Sequence, residues 1–256
     1  MRKCLFWGLS VSASIILSSC ATILPKPLVY PPKEISPKLP QPISRRDTVH
    51  IVAPGETLWR ISKMYDVPMQ EIIRANDLKN KEELIKGQPL VVPHAAPIIP
   101  VIPPLYPSKK WRYIIIHHSA SDEGNSLYFD KYHHDKGWKG IGYHFVINNG
   151  TRGKHDGQIE VSPRWINQED GSHCNASGMN KIAIGICLVG NFNSEEPSEK
   201  QLEALVYLVN ILRRYYKIPF SRILGHGRVY GANTDCPGEK FPWKEFKERS
   251  RRDLNV

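Results

Sequence analysis

Proline constrains this chain before anything else does. Residues 21–46, ATILPKPLVYPPKEISPKLPQPISRR, carry seven prolines and no apolar periodicity. A second proline-rich stretch, HAAPIIPVIPPLYPS, covers 94–108. Each proline sets its own φ and removes a backbone donor, so no long helix or internal strand runs through such a segment. The first stretch reads as a semi-rigid tether, at roughly 3 Å per residue reaching at most about 80 Å. The chain is thereby divided. A tether occupies 20–47, a small module 48–93, a linker 94–108, and a domain 109–256 that is large enough for its own core.

The N-terminus, MRKCLFWGLSVSASIILSSC, opens on Arg2 and Lys3, continues through an apolar run broken by serines, and ends on small residues and Cys20. The apolar run is too short for a membrane span, so residues 1–19 read as a secretory signal. Its last residues, LSSC, resemble the lipobox of bacterial lipoproteins, which implies cleavage before Cys20 and acylation of its thiol. An ordinary signal peptide with a coincidental cysteine is the alternative. The formal charge is +10. Loss of Arg2 and Lys3 with residues 1–19, which hold no acid, leaves +8. An exported basic protein rarely meets nucleic acid, so an anionic wall polymer is the expected partner. With Cys4 removed and Cys20 lipidated, Cys174, Cys187 and Cys236 remain. That odd number leaves at least one thiol without an intrachain partner in an oxidising compartment.

In the small module, Val49 and Ile51 alternate before the turn APGE, and Leu58, Ile61 and Tyr65 then recur at helical spacing. Asp66-Val67-Pro68 breaks that helix. A second helix carries Ile72, Ile73 and Ala75 and ends at Asn76, and GQPLVVP supplies a closing strand. This βααβ pattern, through PGETLW, RANDL and KGQPLVVP, resembles a LysM domain. The resemblance implies binding of N-acetylglucosamine-containing glycans, typically peptidoglycan.

The C-terminal domain begins with YIIIHHSA, a short β-branched run suited to the middle of a sheet, entering His117 and His118. A helix is expected over 126–136, then strands in GYHFVINN and IAIGICLVG. Ser198 and Gln201 form a capping box for a long helix with Leu202, Leu205, Val209 and Leu212 on one face. A short strand and the loop ILGHGRVYGANTDCPG close the domain. The expected fold class is α/β, a mixed central sheet flanked by helices.

That loop places His226 ten residues before Cys236. With His117 at the mouth of a strand, these make three candidate metal ligands, and zinc with three protein ligands keeps a fourth position open, the catalytic arrangement. Spacing alone is weak evidence. Taken together, IIIHHSA, GWKGIGYHFVI, GSHCNASGMN, IGICLVGNF and GHGRVYGANTDCPG resemble the zinc-dependent N-acetylmuramoyl-L-alanine amidase family, which includes phage lysozyme-type amidases and peptidoglycan recognition proteins. The resemblance implies that His117, His226 and Cys236 hold Zn2+. It implies that Tyr143 lies near the metal and that Thr234 matches a position where other members carry lysine or threonine. It also implies that His133 and His173 line the substrate groove. Cys187 stands where other branches carry glutamate and reads as a small buried thiol. His118 points to the opposite face from His117 and reads as support or packing. Trp138 and Trp165 read as core.

The expectation is therefore a monomeric, lipid-anchored hydrolase of the bond between N-acetylmuramic acid and L-alanine. It would sit in the bacterial envelope, on the outer membrane facing the periplasm if the cell has two membranes. A peptidoglycan-binding lipoprotein without catalysis and a wall endopeptidase are the alternatives. Retention of Cys236 speaks against the first.

Overall fold

The computed structural model describes residues 44–79, 84–98 and 103–252. The predicted signal, Cys20 and the tether up to residue 43 lie outside the described residues. The N-terminal module runs β1 (Arg46–Ile51), α1 (Leu58–Tyr65), α2 (Met69–Ala75) and β2 (Pro89–Ala95). β1 and β2 pair antiparallel, with Val49 opposite Val91. Pairing reaches Arg46 and Ala95 across a register shift. Residues 46–47 and 94–95, assigned by composition to tether and linker, thus belong to the sheet. Thr57 caps α1 by accepting from the Arg60 N–H at 3.3 Å, which relieves one of the helix's orphan donors. Asp66 ends the helix in the left-handed region at φ 51°, at the expected DVP break. Leu58, Ile61, Tyr65, Ile72, Leu90 and Val92 close a small core.

The second domain adds β3 (Tyr113–His118), α3 (Ser126–Asp135), β4 (Phe145–Asn149), β5 (Asp156–Val161), α4 (Pro163–Ile166), α5 (Met179–Ile182), β6 (Ala183–Leu188), α6 (Glu199–Tyr215), β7 (Ile223–Gly225) and α7 (Trp243–Arg252). Its five strands lie in the order β5-β4-β6-β3-β7. Only the β5–β4 pair is antiparallel, so the sheet is mixed as expected. β3 is flanked on both sides, which explains its unbroken apolar run. One face, with Ile114, Ile116, Phe145, Ile147 and Ile186, packs together with Trp165 of α4 on Leu202, Leu205, Val209 and Leu212 of α6. Each such side chain stabilises the fold by about 1.5–3 kcal/mol. The α6 capping box is complete: Ser198 Oγ accepts from the Gln201 N–H and Gln201 Oε1 from the Ser198 N–H, each at 3.1 Å. β5 and α7 carry weak patterns and no element was expected there. β5 is a polar edge strand with Ile159 and Val161 turned into the core, and α7 docks through Phe246.

Residues 42–256 form one compact unit. The LysM-like module is seated on the larger domain, which the flanking prolines did not foretell. The Lys154 ammonium, with its side chain fully buried, donates to the Ile51 carbonyl at 2.7 Å and pairs with Glu160 at 3.2 Å. Gln158 Nε2 contacts Met64 Sδ at 3.5 Å, and Gly55 lies against Pro163 and Ile166. Among the described residues no helix is long and apolar enough to cross a membrane.

Candidate active site

The site forms where parallel strands end together. Ile116 of β3 is paired with Gly225 of β7, so the next residues on each strand, His117 and His226, emerge side by side. Their rings meet edge-on at 4.8 Å between centroids. On the other side of β3, Cys187 of β6 is level with His117. The loop after β7 then carries Cys236 back across the strand ends, bringing its Sγ to 3.6 Å from His117 Nδ1. The Gly227 N–H holds the loop by donating to the Cys236 carbonyl at 2.7 Å. A Cβ at 227 would sit 2.2 Å from the Thr234 carbonyl oxygen, so only glycine permits this closure.

One ligand atom each from His117, His226 and Cys236 lies within 4.8 Å of the other two. Zinc bond lengths to sulfur and nitrogen, in tetrahedral geometry, give an S···N edge of about 3.5 Å, close to the Cys236–His117 separation. Donor chemistry fits as well. Burial, reinforced by the neighbouring His173 and His226 rings, holds His117 well below the usual imidazole range, and burial lowers His226. Both are therefore neutral donors. Burial pushes the Cys236 thiol up to about 12, against the His118 main-chain amide, which favours the thiolate. Such a thiol ionises when a cation supplies the missing charge, as zinc does.

The surrounding residues fall partly where the sequence placed them. Tyr143, just before β4, sets its ring 5.3 Å from His117. Burial first, then the Cys187 and Cys236 thiols, push its phenol well above the ordinary value, so it is a neutral hydrogen-bond donor. Cys187 is fully buried, as expected. Thr234 is exposed, and its Oγ1 accepts from the Cys236 N–H at 3.2 Å. His118 does support the site from the other face. Its main-chain N–H donates to Cys236 Sγ at 3.4 Å, while its Nδ1 accepts from the Phe192 N–H at 3.1 Å.

His133 and His173, expected to line the groove, are both buried. His133 is 6 % exposed. Its Nδ1 accepts from the Gly142 N–H at 3.1 Å, and its ring lies stacked under Trp138 at 4.6 Å. Trp138 is in turn 42 % exposed and not core, because His133 occupies the space beneath it. Trp165 is fully buried, as expected. His173 contacts His117 Nε2 through Nδ1 at 3.0 Å, and with Trp138, Lys139, Arg164, Ser172, Asn175 and Asn180 it lines a cleft. Burial lowers it to about 3, although the Ala183 carbonyl pulls the other way. Sequence reasoning missed His144, which lies behind His173 at 5.5 Å. Its position beside Tyr143 in GYHF was the available signal. A larger cleft, about 630 Å3, lies between the modules around Tyr65, His155 and Lys200 and contains none of these groups. Cys174, Cys187 and Cys236 are all free.

Comparison with known proteins places this geometry. Residues 107–239 match the family model described as N-acetylmuramoyl-L-alanine amidase, and residues 50–93 the LysM domain. Peptidoglycan-recognition protein SC1a of Drosophila melanogaster is 31% identical over 145 residues, 53% of this chain and 71% of that protein. The endolysin of Enterobacteria phage K11 is 30% identical over 112 residues, 42% of this chain and 65% of the endolysin. Among solved structures, N-acetylmuramoyl-L-alanine amidase LysC from Clostridium intestinale URNW is 34% identical with a TM-score of 0.46, covering 60% of this chain and 92% of that one. The chain belongs to the N-acetylmuramoyl-L-alanine amidase family and carries a LysM domain in front of its amidase domain.

Proposed function

We propose that residues 109–256 form a zinc-dependent hydrolase that cuts the amide between the lactyl group of N-acetylmuramic acid and L-alanine in peptidoglycan. The observation that carries this reading is the retention of His117, His226 and Cys236 around one point, with Tyr143 beside them. Zinc held there would polarise the scissile carbonyl and acidify a water. The chain's own groups prepare the rest. The His118 amide stabilises negative charge on Cys236 sulfur. Tyr143 is a neutral phenol beside His117. A substrate oxygen gaining negative charge can accept from its O–H, which is the preorganised donation that lowers a tetrahedral barrier. Thr234 keeps its own O–H as a second donor, because the hydroxyl oxygen is already fixed by the Cys236 amide.

The LysM domain would hold the enzyme on wall glycan and raise the local concentration of scissile bonds without entering the chemical step. Acylation of Cys20 would add a stable membrane anchor, since several chains hold where one does not. The protein would then act in the bacterial envelope, at the outer membrane in a two-membraned cell, in turnover or remodelling of the wall. Mass spectrometry of peptidoglycan digested by the zinc-loaded protein tests this. Free L-alanine amino termini are the expected product. An intact stem-peptide amide after long incubation refutes catalysis and leaves a wall-binding protein, and cleavage within the stem makes it an endopeptidase.

A further inference from the structure

The hydrogen bonds behind His117 determine which of its nitrogens faces the metal site. A carbonyl oxygen only accepts, so the 3.3 Å contact between His173 Nε2 and the Ala183 carbonyl puts the proton of His173 on Nε2. His173 lies buried among His117, His144 and main chain. An imidazolium there, with no carboxylate among its contacts, would be costly. In the neutral ring Nδ1 is an acceptor, and His117 Nε2 at 3.0 Å must be the donor. His117 Nδ1 is left bare, and it is the atom beside Cys236 Sγ.

The rest of the packing holds His173 in that role. A Cβ at Gly171 would lie 2.3 Å from its Cδ2, and one at Gly185, within β6, 2.4 Å from the same atom. Two glycines therefore open a slot that fits the ring. Its backbone is held as well: the His173 and Cys174 N–H groups both donate to Asn180 Oδ1 at 2.8 Å, and the Gly171 N–H to the Asn180 carbonyl at 2.8 Å. His173 is thus held at its backbone and at both ring nitrogens.

We infer that His173 is a positioning residue that fixes the Nε2–H tautomer of His117 and so presents Nδ1 as the metal-binding atom, with the Ala183 carbonyl setting the order of the whole relay. Metal ligands usually donate their second N–H to a carboxylate, carbonyl or water; here a neutral imidazole takes that place. The inference rests on the zinc reading above.

Two measurements on the full chain test it. In metal-free protein, 15N spectra of the imidazoles should show the Nε2–H tautomer for both His117 and His173. A His117 Nδ1–H tautomer overturns the inference whether or not metal binds. In metal-loaded protein, His173→Leu, which fills the slot without an acceptor, should weaken zinc about 10–100-fold in chelator competition and alter the absorption of the cobalt-substituted site. His173→Asn, which places an amide oxygen near the position of Nδ1, should recover most of the affinity. Wild-type affinity and an unchanged cobalt spectrum in folded His173→Leu refute the role, as does His173→Asn being as weak as His173→Leu. A wild-type chain that takes up no zinc refutes the metal reading itself, and that arm is read separately.

Discussion

Lys154→Met should destabilise both modules at once. The ammonium and the Glu160 carboxylate are fully buried and 3.2 Å apart, and the same ammonium donates across the module boundary to the Ile51 carbonyl. Methionine keeps the apolar stem and removes the charge. Glu160 Oε2 would still accept from the Ser126 N–H at 2.8 Å and Asn148 Nδ2 at 3.0 Å, but Oε1 would lose its cation. Removing one partner of a buried pair costs about 3–5 kcal/mol. The orphaned Ile51 carbonyl adds on the order of 1 kcal/mol. For a unit of this size a loss of about 4–6 kcal/mol lowers Tm by roughly 8–24 °C. Urea denaturation followed by tryptophan fluorescence would measure it, with amide exchange along β1 reporting the LysM side. Lys154→Met/Glu160→Gln should recover a large part of the loss, because the uncompensated charge is gone. A single-variant loss below about 1 kcal/mol, or unchanged exchange in β1, would show that this pair does not join the modules.

Three further outcomes are expected. Cys236→Ala should abolish amide hydrolysis and zinc uptake together while wall pull-down persists, since the loop is polar and the LysM core is separate; full activity in the folded variant removes the metal mechanism. Thr234→Ala should slow turnover by about two to three orders of magnitude if its hydroxyl is a principal donor, measured as release of L-alanine amino termini, and an unchanged rate assigns the residue to loop structure alone. The Glu56 carboxyl, which burial would raise, is instead lowered from 4.5 to about 2 by its 2.7 Å bond to His50 and by Lys154. Because the folded value is the depressed one, its contribution of about 3 kcal/mol is present above pH 4.5 and is lost as pH falls through about 2. Glu56→Gln should flatten that acid limb of the stability curve, and an unaltered limb contradicts the assignment.

Much of the fold was legible because its signals are local. The Ser198–Gln201 box, the β-branched run of β3 and the DVP break each act on covalent neighbours, and each formed where the residues predicted it. β5 and α7 were not legible: β5 buries the polar Gln158 and Glu160 beside Ile159 and Val161, which hides its alternation, and α7 is mostly charged. The candidate ligands were legible through motif resemblance, and the reason they work together was not. His117 and Cys236 are 119 residues apart and meet only because β3 lies beside β7 in parallel register.

By itself, then, the sequence determined the class of each domain and the residue types able to hold a metal. Tertiary structure alone decided three things. It buried His133 and His173, the latter where Gly171 and Gly185 leave room for its ring. It pushed Trp138 outward onto His133, and it seated the LysM domain on the amidase domain through Lys154. The physical reason is common to all three. A polar or aromatic side chain goes wherever its hydrogen bonds and ring contacts can be satisfied, and those partners are supplied by segments distant in the chain.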